Sequence, residues 1–166
     1  SSRLPVTSAV WIMLTKNRLK VIDFNARFGD PETQSYMRIL KTDLLDIMLA
    51  CVNQSLDTLD IEWATESACC IMLASKGYPG KYQKGFPITG ISVAEKNESV
   101  VVFHSGTAQH HDMIITNGGR VLGISATGTN LNLALEKGYS AINEIQFEGM
   151  AYRKDIGKTV STRQYL

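Results

Sequence analysis

Apolar and polar positions recur with two different periods along this chain, and the changes of period predict its elements. Trp11-Ile12-Met13-Leu14 and Leu19-Lys20-Val21-Ile22 flank the polar run Thr15-Lys16-Asn17-Arg18, a turn of hairpin length. Two antiparallel strands are predicted, the second running toward Phe24 until Gly29-Asp30-Pro31 breaks it. Asp43 then precedes Leu44, Ile47, Met48 and Cys51 at helical spacing, and Ile39-Leu40 suggest a further helical turn ahead of it. Turn-forming residues from Asn53 to Thr58 close this part, and a boundary is expected between residues 55 and 66.

The remainder reads differently. Ala68 to Ala74 is an apolar run of strand length, ending in the loop Ser75-Lys76-Gly77-Tyr78-Pro79-Gly80, and Val100-Val101-Val102-Phe103 is another. Met113-Ile114-Ile115 and Arg120-Val121-Leu122 enclose Thr116-Asn117-Gly118-Gly119, which predicts a tight hairpin with Asn117 and Gly118 at its tip. Leu131, Ala134, Leu135, Ala141, Ile142 and Ile145 predict an amphipathic helix capped by Thr129 or Asn130. Gly138 inside it costs about 1 kcal/mol relative to Ala, so close packing or a short helix is expected there. The fold class expected is α+β. Residues 1–60 form a strand-and-helix part, and residues 66–166 a small, mainly antiparallel sheet domain with a packed helix.

Composition narrows the function classes. With 166 residues, 44% of them hydrophobic and 20% charged, the chain is an ordinary globular one. Lys and Arg number 17 against 16 Asp and Glu, so no basic excess would draw it to nucleic acid or an anionic membrane. No apolar stretch approaches the roughly 20 residues that span a bilayer. Cys51, Cys69 and Cys70 lack CxxC spacing and read as free thiols; with no signal-peptide pattern, a cytoplasmic location is expected. His104, His110 and His111 have no second ligand cluster to make a metal site, and His110-His111-Asp112 reads as a solvated loop.

Candidate chemistry lies in Val21 to Phe28. Asp23, Asn25 and Arg27 alternate and would share one face of a strand, with Ile22, Phe24 and Phe28 turned toward a core. A carboxylate and an amide oxygen two residues apart are hard donors suited to Mg²⁺. An arginine one step on could neutralise charge on a transferring phosphoryl group. A half-solvated strand with a polar outer face shows the same alternation, so spacing alone leaves both readings open.

The run Val21-Ile22-Asp23-Phe24-Asn25-Ala26-Arg27-Phe28-Gly29-Asp30-Pro31-Glu32-Thr33-Gln34 resembles the metal-binding signature of the phosphoribosylamine–glycine ligase (glycinamide ribonucleotide synthetase) family, within the ATP-grasp superfamily. Ala74 to Gly80, Val102 to Thr107, Thr116 to Gly123 and Phe147 to Gly157 resemble that family's C-terminal blocks, in order. The resemblance implies ATP- and Mg²⁺-dependent (or Mn²⁺-dependent) joining of glycine to 5-phosphoribosylamine through glycyl phosphate, an early step of purine biosynthesis. It places Asp23 and Asn25 on the metal ligands and Arg27 on a catalytic arginine. Met13 and Leu14 fall on a strand that meets adenine, and a core strand would read alike. The family usually carries Glu where this chain has Asp23.

Further candidates are substrate contacts. Asp30 and Glu32 follow the metal strand and could meet the substrate amine, although Glu32 also suits the start of a helix. Lys76 could reach a substrate phosphate or stand in solvent, and Arg120 could face the active cleft. In the family, the glycine-rich lid and the lysines that grip ATP lie upstream of the signature. The chain therefore reads as a C-terminal fragment, inactive alone, whose partners are ATP, glycine, 5-phosphoribosylamine and the missing N-terminal part of the same polypeptide. The alternatives are another ATP-grasp ligase or carboxylase, or a non-catalytic binding module that kept the fold.

Overall fold

The computed structural model describes residues 9–15, 18–25 and 27–157, and only the backbone of residues 9–11, 13, 14, 23 and 25. In chain order the elements are β1 (Ala9–Leu14), β2 (Leu19–Asn25), α1 (Glu32–Ile39), α2 (Leu44–Val52), β3 (Ser67–Ser75), α3 (Ile91–Ala94) and β4 (Val100–His104). After these come β5 (Thr107–His110), β6 (Met113–Thr116), β7 (Arg120–Gly128), α4 (Leu131–Ile142) and β8 (Met150–Ala151). Four strands form one antiparallel sheet in the order β4-β7-β3-β8, and two separate hairpins pair β1 with β2 and β5 with β6.

The central strand explains its own composition. β7 lies between β3 and β4 and is covered on both faces, so Val121 to Ala126 is a run of apolar and small residues rather than an alternating one. On one face Leu122, Ile124 and Ala126 stand opposite Leu73, Ile71 and Cys69, and together they meet α4. Gly138 is the contact point of that helix. A Cβ there would lie 3.3 Å from Ile71 Cδ1 and 3.4 Å from Cys69 Sγ, so glycine permits the close packing that offsets its poor helix propensity. The caps agree with the sequence: Asp43 Oδ1 accepts from the Leu45 amide at 2.8 Å, and Asn130 Oδ1 from the Leu133 amide at 3.0 Å.

Helix α1 covers the opposite face. Its contacts there include the Ser125 hydroxyl, which donates to the Gln34 carbonyl at 3.4 Å, and Arg38 Nη2, which donates to the Ser99 carbonyl at 3.1 Å. Residues on the N-terminal side of the expected boundary thus pack on the sheet that follows it.

Two expectations are corrected. Met113–Thr116 and Arg120–Gly128 are both strands, but they do not pair with each other, so Asn117 and Gly118 are not a hairpin tip. The segment instead crosses from one sheet to another. Gly118 packs against Gly106, where a Cβ added to Gly106 would stand 2.6 Å from Gly118 Cα, and the Asn117 amide donates to the Gly106 carbonyl at 2.7 Å. The small residue serves close backbone approach, not a left-handed turn. The actual two-residue turn is His111-Asp112 between β5 and β6, with His111 at φ 51°.

The second correction concerns β2. Ile22 and Phe24 were expected to face a core, yet they are 60% and 71% exposed, and Phe28 is half-buried. Ile12, Leu19 and Val21 are exposed as well. Among the described residues, β1 and β2 pair only with each other, and the exposure of these apolar side chains shows that no second layer covers them.

Candidate functional site

The signature run begins in β2 and ends in α1. Asp23 and Asn25 occupy alternate positions of β2, with their backbones opposite Trp11 and Ala9. The irregularity of the hairpin falls before them, at Ile22, so the two share one strand face. Met13 and Leu14 pair with Lys20 and Leu19. The side chains of Asp23, Asn25, Met13 and Leu14 lie outside the described residues. Arg27 lies beyond the end of β2 at Asn25, so it does not share the strand face expected for it with Asp23 and Asn25; it is exposed and donates to the Phe28 carbonyl at 3.2 Å. Among the described residues, no three His, Cys, Asp or Glu side chains converge in a metal-binding group.

The loop after β2 is tied to the sheet. Arg120 Nη2 lies 3.1 Å from Asp30 Oδ2, and Arg120 Nη1 donates to the Asp30 carbonyl at 2.9 Å. Gln34 Nε2 donates to the other carboxylate oxygen, Oδ1, at 2.7 Å. Two sequence candidates, Asp30 and Arg120, are therefore each other's partners. Glu32 is the first residue of α1, where its charge complements the helix N-terminus. Its Oε2 is nonetheless buried with no hydrogen-bond partner, and an acceptor in that state costs free energy until something donates to it. Burial pushes the nearby Cys70 thiol up to about 12, reinforced by negative charge at Cys69 and Asp30. Cys69 is raised by burial too, against a backbone hydrogen bond from Ala126.

Lys76 sits next door. Ser75 donates its amide to the Gly119 carbonyl at 2.8 Å and its hydroxyl to the Gly118 carbonyl at 2.9 Å, which sets the end of β3 beside Arg120. From there Ser75, Lys76, Lys81, Tyr82, Glu148 and Gly149 line an open cleft of about 390 Å³. Sequence reasoning found Lys76 but missed Lys81, Tyr82 and Glu148. Their signal was available: Lys81 and Tyr82 directly follow Gly80, and Glu148 precedes a glycine in a block already resembling the family. Gln34, which holds Asp30, was read only as the end of the signature. His104, His110 and His111 are all exposed, but His104 ends β4 and His110 ends β5, so of the three only His111 lies in a turn; His104 Nδ1 is 3.0 Å from Thr107 Oγ1.

Residues 68–159 match the family model for phosphoribosylglycinamide synthetase, C domain. A phosphoribosylamine–glycine ligase of Caldanaerobacter subterraneus subsp. tengcongensis is 49% identical over 145 residues, which is 87% of this chain and 34% of that protein. One from Synechocystis sp. is 45% identical over 140 residues, covering 84% of this chain and 33% of that protein. The crystal structure of the Thermotoga maritima phosphoribosylamine–glycine ligase superposes with a TM-score of 0.68 at 28% identity, over 89% of this chain and 36% of that one. The chain thus spans about a third of the length of these relatives.

Proposed function

The chain belongs to the phosphoribosylglycinamide synthetase family, and from that premise we propose that it serves as the C-terminal part of a phosphoribosylamine–glycine ligase of the ATP-grasp type. In this reading the glycine carboxylate attacks the γ-phosphate of ATP, releasing ADP and forming glycyl phosphate. The amine of 5-phosphoribosylamine then attacks the activated carbonyl, and phosphate leaves as glycinamide ribonucleotide forms. The reaction belongs to purine biosynthesis, and three free thiols suit a cytoplasmic protein.

The residues divide the work by chemistry. Asp23 and Asn25 would hold Mg²⁺ or Mn²⁺: a carboxylate and an amide oxygen on one face of β2 are hard donors, leaving phosphate oxygens and water to complete the shell. When bound, the ion supplies charge neutralisation on the phosphate oxygens. Arg27, two residues after Asn25 and exposed, would steady negative charge with its guanidinium as the phosphoryl group moves. Met13 and Leu14 would contact adenine. The unsatisfied Oε2 of Glu32 is an acceptor for the amine of a substrate, and Asp30 positions Arg120 at the rim of the same region. The exposed apolar residues of the hairpin and of α2, among them Phe24, Leu45 and Val52, suit burial against the rest of the longer protein.

The observation that carries the reading is the Asp30–Arg120 pair, which ties the signature run to the C domain. The test is an assay of the complete protein for ADP and phosphate. Release that requires both glycine and 5-phosphoribosylamine is expected. ATP turnover with another carboxylate, or none at all, would point to the other ATP-grasp reading or to the binding module.

A further inference from the structure

We infer that the cleft at Lys76 and Lys81 binds a pentose phosphate by its phosphate end, which under the ligase reading on which this rests is the 5-phosphate of phosphoribosylamine. The cleft is lined by two lysines, Lys76 and Lys81, one acidic residue, Glu148, and two aromatic residues, Tyr82 and Phe86. Neither Lys76 nor Lys81 has an ion-pair or side-chain hydrogen-bond partner among the described residues. Two unpaired lysines facing one concavity suit a dianion, since each contributes a charge-assisted donor. Aromatic walls suit the apolar face of a sugar, and a carboxylate suits its hydroxyls.

The loop that carries the lysines is built rather than loose. Gly77 has φ +97°, and a Cβ there would collide with the Lys81 carbonyl, so the chain folds back to set Lys81 beside Lys76. The Lys76 amide donates to the Gly149 carbonyl at 2.7 Å, and a Cβ on Gly149, at φ +71°, would stand 3.3 Å from Lys76 Cβ. Such fixed backbone lowers the entropy lost when a ligand orders the site.

Size and place select among the anions of the reaction. A cavity of about 390 Å³ lies at the lower end of the roughly 300–1,000 Å³ of small-molecule pockets. Glycine would leave it mostly empty, and ATP is assigned to the hairpin side. Ser75 joins the cleft to Gly118 and Gly119, next to Arg120 and Asp30, so a sugar phosphate held there would present its far end toward the region where the amine is needed.

The experiment is an NMR titration of the ¹⁵N-labelled 166-residue chain with ribose 5-phosphate, inorganic phosphate and ribose. Ribose 5-phosphate should shift the amides of Lys76, Gly77, Lys81, Tyr82 and Gly149 saturably; phosphate should shift the same amides more weakly, and ribose none. Lys76→Met and Lys81→Met should each weaken binding about tenfold, Lys76→Arg should retain most of it, and Lys96→Met, in a separate cleft between α3 and α4, should change nothing. No saturable shift at millimolar ligand, shifts centred elsewhere, or an equal loss with Lys96→Met would overturn the inference. So would Lys76→Met in the complete protein with an unchanged KM for phosphoribosylamine. Binding in the cleft without glycine-dependent ATP turnover would instead remove the ligase reading and leave the cleft standing.

Discussion

Asp30 and Arg120 lie 90 residues apart in the chain, yet the carboxylate and guanidinium meet at 3.1 Å, with a second contact of 2.9 Å to the Asp30 carbonyl. The pair joins the loop after β2 to the first residue of the central strand, and Gln34 holds the remaining carboxylate oxygen. Both side chains are about 40% exposed, so water screens the attraction. Its role is placement of the loop more than stability.

Asp30→Asn and Arg120→Ala should therefore each cost less than about 1 kcal/mol, with a coupling of about 0.2–1 kcal/mol in a double-mutant cycle read by urea denaturation. A coupling above about 2 kcal/mol would contradict a screened pair. In the complete protein, Arg120→Ala should raise KM for the amine substrate more than KM for ATP.

Gly106→Ala and Gly118→Ala should both destabilise the chain, by about 1–3 kcal/mol, because each new Cβ meets the backbone of the other glycine. Thermal or urea unfolding of the two variants separates this arrangement from a hairpin tip at Asn117-Gly118, in which Gly118 alone would be sensitive.

In the complete protein, Asp23→Ala should weaken the metal–ATP complex more than Asn25→Ala, since Asp23 carries the charge opposing the cation. Arg27→Ala should lower kcat by about 10²–10³ with a smaller effect on KM for ATP. Steady-state kinetics with varied Mg²⁺ would read all three. Near-normal values throughout would leave β2 as a solvated strand face.

Residues 1–166 alone should form no glycinamide ribonucleotide, because Asp23 and Asn25 would supply one wall of the nucleotide site and phosphoryl transfer depends on positioning. Turnover by the purified chain, free of host enzyme, would contradict the fragment reading.

Cys70 should weaken the fold at alkaline pH. Burial raises its thiol from the ordinary 9.0 to about 12, so the unfolded chain loses the proton first as pH rises. The stability linked to this group is complete below about pH 9 and falls between about 9 and 12, by at most about 1.4 kcal/mol per pH unit. Urea unfolding at neutral and at strongly alkaline pH should show a larger loss in the wild-type chain than in Cys70→Ala. Equal losses would assign the alkaline loss to other groups.

Elements whose signal is local were legible in the sequence. The hairpin around Thr15 to Arg18, the caps Asp43 and Asn130, and the helix over Leu131–Ile142 all rest on residues within one or two turns of each other. The signature run was legible for the same reason, since its order is contiguous from Val21 to Gln34.

Contacts between distant segments were decided by tertiary structure. Asn-Gly between two apolar runs is a local turn signal, and it failed because Gly118 has to lie against Gly106, a backbone contact no periodicity encodes. Alternation in β2 predicted a buried face for Ile22 and Phe24, but burial needs a second layer and the hairpin has none within the described residues. Asp30 and Arg120 were each legible as candidates, while their pairing was not. Spacing along a chain reports which side chains share a face, and only the packed sheet determines which faces meet.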